Sequence, residues 1–275
     1  VSEAPDHRQV PVGGEWGLVS VAAGYVTLLV LVPLVALAVS VVHTGVGAVL
    51  IELWQPAARQ AWLTSLLLAA IAVLINAPLG VIGGLVLVRH KFWGRRVLDV
   101  LVDLPLSVSP VMSGLAIIAV FGREGFMRPV LDVLSLQVTY AFPALVIATV
   151  FVTLPFVVRE VGYVLTELGD SEELAAATLG ASSWQTFWRV TLPKIRRGLG
   201  YGLSLTLARA LGEFGAVLMV GGAIAGKTGT ATTFIYAAFE ERREGVAFGL
   251  ALMLGLVSVL VLTAVESRHR VRKPL

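Results

Sequence analysis

Six long apolar runs leave this chain little to fold into except membrane-spanning helices. They lie at residues 17–40, 61–88, 104–121, 140–158, 198–220 and 245–265. Crossing the hydrocarbon core takes about 20 apolar residues in a helix, because only a helix satisfies its own backbone groups where no water is present. Composition agrees, since 14% of residues are charged, against about a quarter in soluble domains. The sequence predicts an all-α integral membrane protein with six transmembrane helices. The membrane domain covers 17–265, between an N-terminal tail at 1–16 and a basic tail at 266–275. The longest polar gap, 159–197, leaves no room for a soluble domain.

The first run exceeds the roughly 7–15 residues of a signal-peptide core, lacks a small-residue cleavage site and follows Glu3, Asp6 and Glu15. It therefore reads as a retained helix. Cysteine is absent, and His7, His43, His90 and His269 have no metal-ligand spacing, so disulfides, thiolate chemistry and a metal site are not expected. Lys and Arg orient the chain by their bias toward the cytoplasmic side. One side collects Arg8, Arg89, Lys91, Arg95, Arg96, Arg159, Arg189, Lys194, Arg196, Arg197, Arg268, Arg270, Arg272 and Lys273; the other has Arg59, Arg123, Arg128, Lys227, Arg242 and Arg243. Both termini and the 159–197 segment are thus expected in the cytoplasm. No basic stripe suited to nucleic acid is seen.

The polar stretch at 174–193 is the exception within this apolar chain and reads as a docking knuckle. Ala175, Ala176 and Ala177 give a small-faced helical turn for a groove on another protein, and Gly180 allows the left-handed conformation that ends it. Ala181 leads to Ser182, which caps the next helix with Gln185 completing a capping box. Trp184 and Trp188, four apart, share one face, and Pro193 restricts that helix's continuation.

Arg209 and Glu213 stand four apart inside the fifth run, where ionisable groups are expensive and face a bundle interior or an aqueous path. They form either a buried lock between helices or part of a translocation route, and their mutual neutralisation favours the lock. Gly212, Gly215, Gly221 and Gly222 around them suit close packing or a bending gate. In the third run, Arg95 precedes Asp99 by four residues and predicts a salt-bridged start, with Asp103 beyond it. Pro105 and Pro110 free backbone carbonyls at membrane depth, so Ser107, Ser109 and Ser113 present hydroxyls either to an anion in transit or to the broken backbone.

Residues 221–228, Gly-Gly-Ala-Ile-Ala-Gly-Lys-Thr, fit the Walker A expression, but that motif needs a strand before it and a helix after it. Here it follows a membrane helix on the side away from the cytoplasm. It is expected to be an outer loop in which Lys227 receives an anion or a docked protein. Glu240, Glu241, Arg242, Arg243 and Glu244 read as a solvated helix end, with contact to an extracytoplasmic partner as a second use. The pairs Gly80 and Gly84, and Gly198 and Gly202, have the small-xxx-small spacing of helix association without naming the helix they meet.

The spacing of two alanines, Ala175 and Ala176, then Gly180, then Val190-Thr191-Leu192-Pro193 resembles the cytoplasmic coupling loop of ABC importer permeases. Leu174 stands where that pattern carries glutamate, with Glu172 and Glu173 adjacent, and Val190 where it carries isoleucine. Asp103-Leu104-Pro105, the segment from Phe151 to Glu160, and the Ala208 to Ala216 stretch extend the resemblance to the sulfate/thiosulfate type of the molybdate and sulfate permeases. The resemblance implies a type I importer fold and a half-pore subunit with no bond chemistry of its own. It also implies a second permease subunit, two ATPase subunits that carry the ATP and Mg, and an extracytoplasmic sulfate-binding protein. A molybdate or tungstate permease paired with itself is the alternative. A secondary transporter would show internal repeats, and none is found between the two halves.

Overall fold

The computed structural model describes residues 15–270, with side chains over 17–263. The expected tails at 1–16 and 266–275, including Arg8, Arg268, Arg272 and Lys273, therefore lie largely outside the described residues. Among the described residues every regular element is helical. The chain opens with α1 (Glu15–Thr44), α2 (Val46–Trp54) and α3 (Pro56–Arg89), followed by α4 (Arg95–Ser107) and α5 (Pro110–Phe121). Next come α6 (Arg128–Val133), α7 (Phe142–Leu168), α8 (Ser171–Thr178) and α9 (Ser183–Thr186). A π turn (Phe187–Thr191) then leads into α10 (Leu192–Leu211), α11 (Gly215–Gly221), α12 (Ala231–Glu240) and α13 (Glu244–Arg270).

The six apolar runs resolve into four unbroken membrane-length helices, α1, α3, α7 and α13, and two bent pairs. The third run is broken: α4 and α5 are bent by 118° from one another at residues 108–109. Pro110 opens α5, and it holds Ser109 in an extended conformation that cannot continue a helix. The fifth run bends by 57° between Leu211 and Gly215. Helices α2, α6 and α12, all outside the expected spans, build the end of the molecule opposite the 159–197 segment.

Helix α7 is the axis of the bundle, packed between α3 and α10. Lipid chains are as apolar as leucine, so close approach of backbones rather than hydrophobicity draws such helices together. Glycine makes that approach possible here. A Cβ on Gly80 would stand 2.3 Å from Val157 Cγ1, and one on Gly84 2.7 Å from Val161 Cγ1. On the other flank, Gly198 and Gly202 of α10 leave room for only 2.5 Å to Val164 and 3.0 Å to the Val157 backbone. Both small-xxx-small pairs thus meet the same helix. At mid-depth, Asn76 of α3, fully buried, donates to Thr153 Oγ1 at 2.7 Å, and Thr153 in turn donates to the Thr149 carbonyl at 2.7 Å. This polar clasp joins α3 to α7 just before Pro155 interrupts the α7 ladder.

Candidate functional site

The 174–193 knuckle is built as its residue types require. Helix α8 ends in a two-bond αL cap: Ala181 N–H bonds the Ala176 carbonyl at 3.0 Å, and Gly180 N–H bonds that of Ala177 at 3.0 Å, with Gly180 at φ 82°. Ser182 Oγ accepts from Gln185 N–H at 3.3 Å while Gln185 Oε1 accepts from Ser182 N–H at 2.9 Å, the reciprocal capping box. Trp184 and Trp188 stack edge-to-face with centroids 5.4 Å apart. No residue of α8 or α9 is buried, and Leu174, Leu179 and Trp184 are 59%, 88% and 70% exposed. Exposed apolar groups gathered on a capped turn are the kind of surface that protein partners cover.

Pro193 does not end the second helix. One continuous rod runs Ser183–Leu211, so the knuckle passes without a joint into the fifth span. Pro193 has no N–H to offer the carbonyl four residues back, and the chain answers with the π turn, in which Leu192 N–H reaches Phe187 five residues back. Glu173, one of two candidate substitutes for the usual glutamate, turns inward. Its carboxylate meets Arg89 Nε at the end of α3 at 2.9 Å and accepts from Thr191 Oγ1 at 3.0 Å. Arg89 also donates to the Gly169 carbonyl at 2.6 Å, as does Lys194 at 3.2 Å. Glu173 is therefore an anchor that ties α8 to the end of α3 and to the π turn that leads into α10, and the outward face at 174 is leucine.

The breaks in the third and fifth spans come together. A Cβ on Gly215 would stand 3.1 Å from Val111 Cγ2 and 3.4 Å from Pro110 Cβ, and one on Gly114 2.8 Å from Met219. Arg209 Nη1 lies 2.7 Å from Glu213 Oε2; Arg209 is a third exposed and Glu213 buried. The other carboxylate oxygen accepts from Ala216 N–H at 3.0 Å at the start of α11, and Thr232 Oγ1 donates to the Glu213 carbonyl at 2.7 Å. The Glu213 carboxylate thus ties Arg209 at the end of α10 to the Ala216 N–H across the bend, with the guanidinium on the more exposed side. Of the serines, Ser107 and Ser113 back-bond to the Asp103 and Ser109 carbonyls at 3.5 and 3.3 Å, while Ser109 is exposed at the break itself.

Asp99 does not take Arg95 as its partner. Arg159 of α7 reaches across instead, with Nη1 2.6 Å from Asp99 Oδ1, Nη2 2.6 Å from Asp103 Oδ2 and Nε donating to Asp103 Oδ1 at 2.7 Å. One guanidinium facing two carboxylates a turn apart fastens the amphipathic α4 to α7. Nothing local in the sequence signals this bond across 56 residues. Asn76, a lone amide in an apolar run, is the signal that sequence reading passed over.

At the opposite end, the 221–228 loop spends its donors on itself. The N–H groups of Lys227, Thr228 and Gly229 all point to the Ile224 carbonyl, and Thr228 Oγ1 donates to the Gly221 carbonyl at 2.6 Å. A helix, α11, and not a strand precedes the loop, so the strand–loop–helix frame of a phosphate site is missing here. Lys227 is exposed, and Gln60 of α3 holds the loop through the Gly226 carbonyl at 2.7 Å. In the 240–244 run, Arg243 pairs with Glu241 at 2.7 Å and with the buried Glu52 of α2. Hydrogen bonding to Glu52 holds the Arg243 guanidinium above its ordinary pKa.

The model of the family described as binding-protein-dependent transport system inner membrane component matches residues 76–270. The chain is 42% identical over 249 residues to the sulfate transport system permease protein CysW of Synechocystis, covering 90% of each chain. It is 35% identical over 243 residues to the sulfate transport system permease protein CysT of Escherichia coli, covering 88% of each. Among solved structures it resembles a chain of a bacterial alginate ABC transporter crystallised with its alginate pentasaccharide-bound periplasmic protein. The TM-score is 0.77 at 17% identity, over 96% of this chain and 98% of that one.

Proposed function

We propose, from the premise that this chain belongs to the binding-protein-dependent transport system inner membrane component family, that it is one permease subunit of an ATP-driven importer of sulfate or thiosulfate. The observation that carries the reading is the exposed, capped knuckle at 171–193, continuous with the fifth span and welded by Glu173 to Arg89 and Thr191. A partner that moves this knuckle moves α3 and α10, and with α10 the bend at Arg209 and Glu213. In this reading two ATPase subunits, carrying ATP and Mg, grip the knuckles of this chain and of a second permease. An extracytoplasmic binding protein delivers the anion to the opposite end. Knuckle and termini then face the cytoplasm. The sulfate assignment is supported by the match to CysW over nine-tenths of the chain, stronger than that to CysT.

The test is ATP-dependent uptake of radiolabelled sulfate by cells with and without this chain, with thiosulfate, molybdate and tungstate as unlabelled competitors. Loss of sulfate uptake on deletion, competed mainly by thiosulfate, is the expected result. Intact sulfate uptake with lost molybdate uptake would replace the reading by that of a self-paired molybdate permease.

A further inference from the structure

Helix α2 (Val46–Trp54) has no place in the transport cycle described above, yet its surface is sharply divided. Val49 and Glu52 are buried, whereas Val46, Leu50, Ile51 and Trp54 are exposed, the last two to 70% and 74%. Spacing of four, five and eight residues places the exposed set on one face. Glu52 is the one charged residue of this helix, and it is turned inward, paired with Arg243 and accepting from Gln55 Nε2 at 2.8 Å. The outward face is therefore apolar and uncharged, ending in an indole.

What covers this face follows from where the chain holds it. Gly45 alone, at φ 90°, separates α2 from α1, and Gln55 alone separates it from α3, and both neighbours are of membrane length. With 9 residues, α2 extends about 14 Å, less than half of the roughly 30 Å hydrocarbon core, so it cannot cross. It is confined to the boundary where two spans end. No Lys or Arg occurs between Arg8 and Arg59, which makes this the basic-poor outer boundary. Tryptophan concentrates at such depth because its ring is apolar and its N–H polar.

We infer that α2 lies flat in the outer leaflet, its Val46, Leu50, Ile51 and Trp54 face seated among lipid acyl chains just below the headgroups. The partner is a lipid surface, not a protein. Through Glu52 and Arg243 this seat is tied to the loop between α12 and α13. Through Thr232 of α12, which bonds the Glu213 carbonyl, it is connected to the bend in the fifth span.

The chain has no cysteine, so a single nitroxide label reads one position cleanly. Ile51→Cys, Lys227→Cys as the aqueous reference and Leu260→Cys as the lipid reference would be measured by power-saturation EPR. The sample is the full complex in phosphatidylethanolamine and phosphatidylglycerol nanodiscs. The expected result at 51 is an oxygen-to-nickel-chelate accessibility ratio several-fold above that at 227 and close to that at 260, unchanged when binding protein is added. Nickel access equal to that at 227 overturns the inference. So does protection from both reagents, which would place a second protein on this face, or protection that appears only with binding protein. Leu50→Cys repeats the measurement. Sulfate uptake is not read, so a failed depth measurement and a failed transport assignment are distinguishable.

Discussion

Gly180 shows what a single residue contributes to the knuckle. A Cβ there would meet nothing within 4 Å, so its left-handed backbone, and not space, demands glycine. An ordinary side chain in that conformation costs about 1–2 kcal/mol. Gly180→Val is therefore expected to lower the ATPase recovered with the purified permease several-fold while membrane insertion is kept, and Gly180→Asn, which tolerates φ above zero, to retain most of it. Equal recovery from the valine variant would remove the cap from the docking account. Glu173 acts differently, since it faces inward to Arg89 with both side chains largely buried. Breaking such a pair costs about 3 kcal/mol when one charge is left behind. With Glu173→Gln, ATPase binding should survive because the outward face is untouched, but stimulation of hydrolysis by substrate-loaded binding protein should fall steeply. The double exchange Arg89→Glu with Glu173→Arg should restore part of it. Full stimulation in the single variant would show that the weld transmits nothing.

Elements depend on how closely α3 and α10 approach α7. Gly80→Leu pushes a branched side chain into Val157, whose Cγ1 already lies 2.3 Å from an ideal Cβ, whereas Gly24→Leu on α1 meets open space. Overpacking of this kind costs about 1–3 kcal/mol. The first variant should lose several degrees of thermal stability in detergent, read by loss of the monodisperse size-exclusion peak, and the second none; equal loss at both positions would contradict α7 as the axis. The six apolar runs and the capped turn were legible in sequence because hydropathy and capping are local properties. The glycine pairs announced close contact, but spacing carries no address, and only the fold shows that both pairs meet α7. Pro105 and Pro110 marked the third run as broken, but prolines do not carry an angle, and the 118° bend shows only in the fold. Pairing Asp99 with Arg95 failed for a related reason: a local partner at i−4 competes with Arg159, whose planar fork reaches both Asp99 and Asp103 from another helix. Helix α2 stayed hidden because its apolar residues merge with the runs on either side.

For the whole molecule, surface left uncovered says where a partner must sit. Helices α1 and α13 have unbroken backbones across their apolar lengths, and the most apolar window of α1 buries nothing, so lipid can solvate both. The broken helices cannot be treated this way. The gaps at 108–109 and 212–214 leave backbone groups at membrane depth, and such groups are tolerated only against protein or a water-filled cavity. Yet beside the first gap, Val111, Met112 and Leu115 of α5 remain exposed, with Met112 at 57%. The surface beside this gap is therefore uncovered in the single chain, and in the proposed importer it is where the second permease subunit would sit. A photoreactive phenylalanine analogue at Met112 should yield, on irradiation in native membranes, an adduct whose mass adds that of a second permease. The same analogue at Leu260 of α13, 65% exposed, should yield none. Adducts at neither position, with transport intact, would mean that the open face of α5 borders only water. Adducts at Leu260 alone would place the second subunit on α13 and leave the broken helices outside the shared pathway.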